Sequence, residues 1–155
     1  MDVFNPSLSV ADQLVEMWLS LAEGQRRFES HLLVDKNQAR IRESVCNHIA
    51  TERLLVAQAD EICGFVMFTV EVGGYEQDVR RGIVENIYVE PAYRDEGVGG
   101  RLLHEAEQEL GQQGVDVIAL EVMAKNEAGR RFYRQQNYEP HRVELEKTIK
   151  DGERQ

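Results

Sequence analysis

The chain has 155 residues, 42% of them hydrophobic and 30% charged, and carries a formal net charge of −10. This length predicts a single domain whose core forms without disulfides or a metal, and no apolar run approaches the roughly 20 residues of a membrane-spanning helix. The acidic balance argues against nucleic acid or an anionic membrane as the main partner. The first residues lack the basic and apolar regions of a signal peptide, so we expect a cytoplasmic protein.

Two amphipathic helices are predicted in the N-terminal third, after a weak strand at Val3–Phe4. Apolar residues recur at three- and four-residue steps over residues 10–26. In the second helix, residues 37–52, Ile41, Val45 and Ile49 lie four apart on one face.

The hydrophobic period then changes to that of strands. Residues 54–57 and 62–70 are apolar runs separated by Asp60–Glu61, which predicts a hairpin. Another strand is predicted over residues 83–89. It ends before Pro91, which has no N–H to donate to a ladder.

The C-terminal half alternates helices and strands. A helix is predicted over residues 98–113, a buried strand over 115–123, a short helix over 126–136, and a last strand over 143–149, where apolar residues alternate. This order predicts a mixed α/β (α+β) domain around one central sheet.

Cys46 and Cys63 are the only cysteines, and each has apolar neighbours in the sequence. Two cysteines make no disulfide framework, and these two match no metal-binding spacing. We therefore expect buried structural thiols and no metal, with a nucleophilic cysteine as the alternative.

The turn Arg94-Asp95-Glu96-Gly97-Val98-Gly99-Gly100 lies between a predicted strand and a predicted helix. Glycine lets the backbone approach a ligand closely, and the first amides of a helix have no partners within it. Such a turn is suited to phosphate, and Arg94 adds a guanidinium. A tight strand-to-helix connection with no ligand is the alternative for the bare pattern.

Two segments together resemble the GNAT superfamily of N-acetyltransferases. The first is VENIYVEPAYRDEGVG over residues 84–99, which matches the strand and the Arg-x-x-Gly-x-Gly loop of that family. The second is NEAGRRFYRQQNY over residues 126–138. The resemblance covers about residues 54–149 and implies the GNAT fold. The chain would then be a single domain, residues 1–155, whose coenzyme-binding core lies in residues 54–149. Residues 10–52 would shape the acceptor site.

The resemblance also implies which residues hold acetyl-coenzyme A (acetyl-CoA). The strand before the loop would splay from its neighbour and pair with the pantetheine arm, the loop amides would hold the pyrophosphate, and one asparagine side chain would bond the pantetheine. The implied contacts are Ile87, Tyr88, Val89, Arg94, Gly97, Val98, Gly99, Gly100, Arg101 and Asn126. Asn126 also suits a helix cap.

By the same resemblance, the reaction would transfer an acetyl group to a primary amine of a small molecule or peptide, by direct attack in a ternary complex. Tyr133 matches the family's general acid. Glu85 is our candidate base, with Glu121 as the alternative, and the Val89 amide would support the oxyanion. Tyr88, Tyr75 and His31 are further candidates for the acceptor pocket.

Three points stay open at the level of sequence. Asp95 and Glu96 depart from the usual loop, because carboxylates beside a pyrophosphate are unfavourable unless they point to solvent. Similar proteins are commonly dimers, which makes a homodimer an expectation. A coenzyme A-binding module without transferase activity, or a structural interaction protein, would share parts of the same pattern.

Overall fold

The computed structural model describes residues 1–150 and shows one central sheet with helices on both faces. The strands are β1 (Asp2–Phe4), β2 (Leu54–Gln58), β3 (Ile62–Val70), β4 (Arg81–Val89) and β5 (Val117–Leu120). The helices are α1 (Ala11–Arg26), α2 (Gln38–Ala50), α3 (Val98–Gln112) and α4 (Glu127–Gln135). The mixed α/β class expected from the sequence is confirmed.

The five strands lie in the sheet in chain order, β1-β2-β3-β4-β5. All neighbouring pairs are antiparallel except β4 and β5, which are parallel. Helix α3 makes the crossover between these two strands, as a parallel pair requires. Residues 90–97, which include a 3₁₀ turn at Pro91–Tyr93, connect the carboxyl end of β4 to the start of α3.

Each face of the sheet is covered by a separate apolar cluster. Helices α1 and α2 pack on one face, where Leu14 and Val45 are fully buried. Helix α3 packs on the other, where Leu102 and Leu110 are fully buried. Strand residues alternate between the two clusters, because successive side chains of a strand point to opposite faces.

The predicted strand over residues 143–149 is wrong. This stretch forms no strand within residues 1–150, and its apolar side chains Val143, Leu145 and Ile149 are 78%, 87% and 79% exposed. Alternation predicts a strand only where a neighbouring strand supplies hydrogen-bond partners. The strand predicted over 115–123 is also shorter, because β5 pairs with β4 over four residues only.

The predicted single domain extends to residue 155, and its last five residues lie outside the described part. Among residues 1–150, no helix is both long and apolar enough to cross a membrane.

Candidate active site

Strand β4 separates from β5 halfway along its length. The parallel pairing runs from Arg81↔Val117 to Val84↔Leu120 and stops there, whereas β4 continues to Val89. Residues 86–89 of β4 are thus paired with β3 on one side and with nothing described on the other. This is the splayed strand that the sequence resemblance implies.

Backbone groups of β4 face this opening. The Glu90 N–H donates to the Cys63 carbonyl at 2.8 Å, so the groups facing β3 in this part of the strand are those of Glu90, Tyr88 and Asn86. The Tyr88 amide consequently faces β3, and the amides of Ile87 and Val89 face the opening. A ligand lying along β4 therefore meets two N–H donors in one line.

The Arg94 side chain connects the turn to the end of β4. Its Nε donates to the Val89 carbonyl at 2.8 Å, and its guanidinium carbon lies 5.5 Å from the centre of the Tyr88 ring. Tyr88 is itself buried against Phe65, with 6.2 Å between ring centres. The guanidinium is therefore held at the edge of the opening, with one of its five donors in use.

The glycine turn presents free amides at the start of α3. Gly97 has a φ of +83° and precedes Val98, the first helical residue. The first amides of a helix lack intrahelical partners, and here these are the amides of Val98, Gly99 and Gly100. The Arg101 amide already donates to the Gly97 carbonyl at 3.1 Å, so Arg101 has only its side chain to offer a phosphate.

The two acidic residues of the turn are both exposed. Asp95 adopts a φ of +63°, a left-handed conformation that aspartate tolerates better than most residues. Backbone geometry thus accounts for an aspartate at this position, and Glu96 lies in solvent beside it.

Helix α4 packs against this first turn of α3. A Cβ at Gly99 would lie 3.4 Å from the Phe132 ring. At the start of α4, the Asn126 side-chain oxygen accepts from the Gly129 N–H at 2.9 Å, so Asn126 caps the helix. Its amide nitrogen is the group left to donate to a ligand.

Tyr133 lies in an aromatic group on α4. Its ring centre is 5.2 Å from that of Phe132 and 6.2 Å from that of Tyr138. Burial raises the pKa of Tyr133 from 10 to about 12. The pKa of Tyr138 is raised by burial and by the hydrogen bond that its hydroxyl donates to Glu107 at 2.6 Å. The Tyr133 phenol is therefore a neutral donor at any physiological pH.

Glu85 is the extra residue of a β-bulge. Met67 of β3 pairs with Asn86 and Phe68 pairs with Val84, which leaves Glu85 without an opposite residue. Bulges re-aim a side chain and often occur beside active sites. The Glu85 side chain is 34% exposed and lies where β4 and β5 part.

Glu85 is hydrogen-bonded to a buried histidine of α2. His48 Nε2 lies 2.6 Å from Glu85 Oε1, and His48 Nδ1 lies 2.7 Å from the Ser44 carbonyl. A carbonyl only accepts, so Nδ1 carries a proton. His48 Nε2 is then the ring nitrogen directed at the Glu85 carboxylate.

His48 is the site residue that the sequence reading missed. It lies three residues after Val45 on the apolar face of α2, where it is 6% exposed. An ionisable side chain on an otherwise apolar helix face is the signal that was available. Its partner could not be foreseen, because 37 residues separate the two side chains.

The remaining candidates lie away from this opening or are exposed. Tyr75 is 92% exposed, and the His31 side chain is 77% exposed and pairs with Glu146. Glu121 is exposed just beyond the end of β5.

The two cysteines differ in burial. Cys63 is fully buried, as expected, and burial raises the pKa of its thiol. Cys46 is only half-buried.

A shallow depression of about 270 Å³ lies beside the α1–α2 connection. Its walls include Glu23, Arg26 and residues 32–36, and none belongs to β4 or the glycine turn. Among residues 1–150, no three side chains of metal-ligating type lie together. The backbone opening along β4, rather than an enclosed cavity, is therefore the feature that organises the site.

Solved structures share this architecture. A GCN5-related N-acetyltransferase from Ralstonia eutropha JMP134 aligns with a TM-score of 0.74 at 19% identity, covering 96% of this chain and 97% of the other. The PaiA N-acetyltransferase from Thermoplasma acidophilum, solved with coenzyme A, gives 0.72 at 20%, covering 87% of each chain. An aminoglycoside antibiotic 6′-N-acetyltransferase from Acinetobacter haemolyticus gives 0.71 at 20%, covering 97% and 100%. No match was found among curated protein sequences.

The splayed sheet and the glycine turn therefore define a GNAT-fold protein. The sequence model of the acetyltransferase (GNAT) family matches residues 13–138, which is most of the chain. This protein belongs to that acetyltransferase family, whose members use acetyl-CoA.

Proposed function

We propose that this protein is an N-acetyltransferase that moves an acetyl group from acetyl-CoA to a primary amine of a small molecule or peptide, by direct attack within a ternary complex. One observation carries the proposal. The free edge of β4, with the Ile87 and Val89 amides facing outward, is followed after residues 90–97 by the free amides at the start of α3. One extended ligand with an amide-rich arm and a pyrophosphate matches both.

The coenzyme would lie along β4 and end at the glycine turn. Its pantetheine amides would pair with the Ile87 carbonyl and the Val89 N–H, as an added strand pairs with a sheet edge. Its pyrophosphate would accept from the amides of Val98, Gly99 and Gly100, where the helix dipole favours negative charge. Arg94 stands beside this path, and the Asn126 amide nitrogen would donate to the pantetheine.

Chemistry would occur where β4 parts from β5, at the end of the pantetheine arm that lies farther from the glycine turn. The neutral amine attacks the thioester carbon, and the Ile87 N–H, the outward-facing amide nearer this point, donates to the oxygen that becomes negative. The carbon–sulfur bond then breaks, and the amine gives up a proton. The Tyr133 hydroxyl donates a hydrogen bond to the departing sulfur.

Tyr133 would act mainly by this hydrogen bond rather than by complete proton transfer. Its pKa is raised to about 12, whereas a thiol has a pKa of about 8.5. At about 1.4 kcal/mol per pKa unit, full transfer would be uphill by about 5 kcal/mol. The thiolate is therefore stabilised as it leaves, and its proton comes in the end from the solvent or the acceptor amine.

Glu85 would take the amine proton, directly or through a water. His48 holds Oε1, which leaves Oε2 to face the acceptor. This fixes the carboxylate in the bulge without placing the histidine at the reacting atoms, so His48 is a positioning residue. Glu121, beyond the end of β5, is the alternative base.

An acceptor screen tests the proposal. Coenzyme A thiol release would be measured with polyamines, amino acids, N-terminal peptides and aminoglycosides, the last because one structural neighbour is named for them. We expect amine-dependent release with at least one class, and cationic amines to be preferred because the chain carries a net charge of −10.

Calorimetry with acetyl-CoA separates the other readings. Coenzyme binding without thiol release for any amine would support a non-catalytic coenzyme A-binding module. Failure to bind acetyl-CoA at all would support a structural interaction protein and contradict the proposal.

A further inference from the structure

The β5–α4 loop, residues 121–126, forms one border of the opening beside β4. It follows directly from Leu120, the last residue of β5 that pairs with β4, and it ends at Asn126, the cap of α4. The other border is β4 itself, where the β-bulge presents Glu85. The opening thus has a carboxylate on one side and, on the other, the loop that leads to the proposed pantetheine contact.

The α1–α2 connection, residues 27–37, is joined to this loop by an ion pair. The Lys125 ammonium binds the Glu29 carboxylate. Glu29 adopts a φ of +75°, a left-handed conformation that is uncommon for residues other than glycine. Arg26 holds the same connection from the end of α1, because its Nη1 donates to the Ser30 carbonyl at 2.7 Å. The connection is therefore folded so that it presents a carboxylate at the rim of the opening.

The cation that Glu29 binds is a primary ammonium, the charged form of the group that the proposed acceptor carries. Lys125 is one of only four lysines among 18 basic residues. An ammonium is a compact point charge, which an amine ligand reproduces and a planar guanidinium does not. Lys125 is therefore a stand-in, within the protein itself, for a cationic ligand of Glu29.

This ion pair is weak enough to be exchanged for a ligand. The side chains of Lys125 and Glu29 are 64% and 62% exposed, and a pair this exposed favours its closed form by no more than about fivefold. A ligand with its own ammonium at this point displaces Lys125 without disturbing a helix or strand. His31, two residues after Glu29, pairs with Glu146, so the connection keeps a second attachment when Lys125 leaves.

We propose that Glu29 is a specificity-determining residue that binds a second positive charge of the acceptor, and that Lys125 is its internal competitor. The acceptor is then a primary amine with a further cationic group. Its reacting nitrogen lies near Glu85, and its distal cation replaces Lys125 at Glu29. This inference rests on the proposed acetyl transfer, because it names the class of amine that the same site takes.

The preference for diaminobutane over butylamine, measured as the ratio of their kcat/KM values in the thiol-release assay, tests this role. We expect Glu29→Gln to lower the ratio by about threefold to fivefold and Lys125→Met to raise it by a similar factor, as an exposed ion pair allows. The double variant should keep the ratio of Glu29→Gln, because Lys125 competes only at Glu29.

Glu23→Gln and Lys36→Met are the matched controls. They make the same two charge changes at exposed residues beside the same connection, and they should leave the ratio near that of the unchanged protein. If Glu29→Gln and Lys125→Met both lower the ratio, the pair is a structural contact. If the double variant returns to the ratio of the unchanged protein, the single effects come from net charge. Either result would overturn the proposal.

A binding measurement separates this proposal from acetyl transfer. The carboxyl carbon of Glu29, followed by NMR, should shift on titration with diaminobutane, and Lys125→Met should tighten the titration. Absence of the shift overturns the role of Glu29, and acetyl transfer still stands if thiol is released with other amines. The shift without thiol release from any amine supports the cation site and contradicts acetyl transfer.

Discussion

Two ionisable side chains from different elements meet at the bulge of β4, and their hydrogen bonds define what Glu85 can do. His48 fixes one carboxylate oxygen from a buried position, and the Ser44 carbonyl fixes the orientation of the imidazole. Tyr133 has the opposite surroundings, because it is buried among aromatic rings. The two residues would suit complementary tasks in the proposed reaction: Glu85 would accept a proton, and Tyr133 would donate a hydrogen bond.

Removing the Tyr133 hydroxyl should slow the reaction. We expect Tyr133→Phe to lower kcat by about 10²-fold, the lower end for a general acid, with little change in the KM for acetyl-CoA. Tyr138→Phe removes a hydroxyl from the same aromatic group and is the control, expected to stay within a few-fold. Equal rates for Tyr133→Phe and the unchanged protein in the thiol-release assay would refute the assignment.

The ionisation of Tyr133 should affect stability only at high pH. The pKa is raised from 10 to about 12 in the folded state, so the neutral phenol is favoured by folding. Its contribution is complete below pH 10 and is lost as the pH rises towards about 12. We expect the free energy of unfolding of Tyr133→Phe, measured with urea, to fall less steeply over this interval than that of the unchanged protein.

Loss of His48 should act through Glu85. Truncation by His48→Ala leaves a carboxylate without its partner and should cost about 1–3 kcal/mol of stability. His48→Gln keeps a side-chain donor and should retain more of kcat/KM for the amine. In a Glu85→Gln background, His48→Ala should cause little further loss of kcat/KM; an undiminished loss there would mean that His48 acts elsewhere.

At the scale of elements, the turn between β4 and α3 depends on the left-handed conformation of Gly97. No atom lies within 4 Å of a Cβ built at this position, so a substitution is opposed by backbone strain rather than by a clash. Gly111, near the other end of α3, is equally open and has no positive φ. The pair allows backbone conformation to be tested separately from side-chain volume.

We expect Gly97→Ala to destabilise the protein by about 1–2 kcal/mol, the cost of a left-handed L-residue, and to weaken acetyl-CoA binding because the first amides of α3 shift. Gly111→Ala should be neutral or slightly stabilising, since alanine is the better helix former. Calorimetric titration with acetyl-CoA and urea unfolding give both quantities. Indistinguishable affinities for the two variants would contradict a role for the turn geometry.

Elements with their own local signal were predictable, and those that depend on a partner were not. The periodicity of residues 98–113 predicted α3 to within a residue, and the apolar run 62–70 predicted β3 with its bounds. The alternation over 143–149 is as clear, yet a strand needs a second strand. Similarly, the open edge of β4 depends on where β5 stops, and the sequence predicted β5 too long.

The site divides in the same way. The glycine turn and the cap at Asn126 are local features, and their geometry agrees with the sequence pattern. The side-chain placement of Arg94 and the use of the Arg101 amide within α3 depend on hydrogen bonds that no motif encodes. The pairing of His48 with Glu85 required the three-dimensional fold.

At the scale of the whole molecule, the charge of −10 implies self-repulsion in the folded state. Only four of its 18 basic residues are lysines. Together with the excess of acidic residues, this composition suits a protein that works at a high salt concentration. We expect the free energy of unfolding to rise from low to molar salt, because salt screens these charges. Equal stability at all salt concentrations would contradict this expectation.

We propose above all that the free edge of β4 and the start of α3 together form the acetyl-CoA site. Residue-resolved amide measurements by NMR, with and without acetyl-CoA, test it most directly. We predict protection from exchange and large shifts at Ile87 and Val89 and at Val98 to Gly100, with much smaller changes along β1 and β2. Binding that leaves these five amides unchanged, or that perturbs only residues far from β4, would contradict the account.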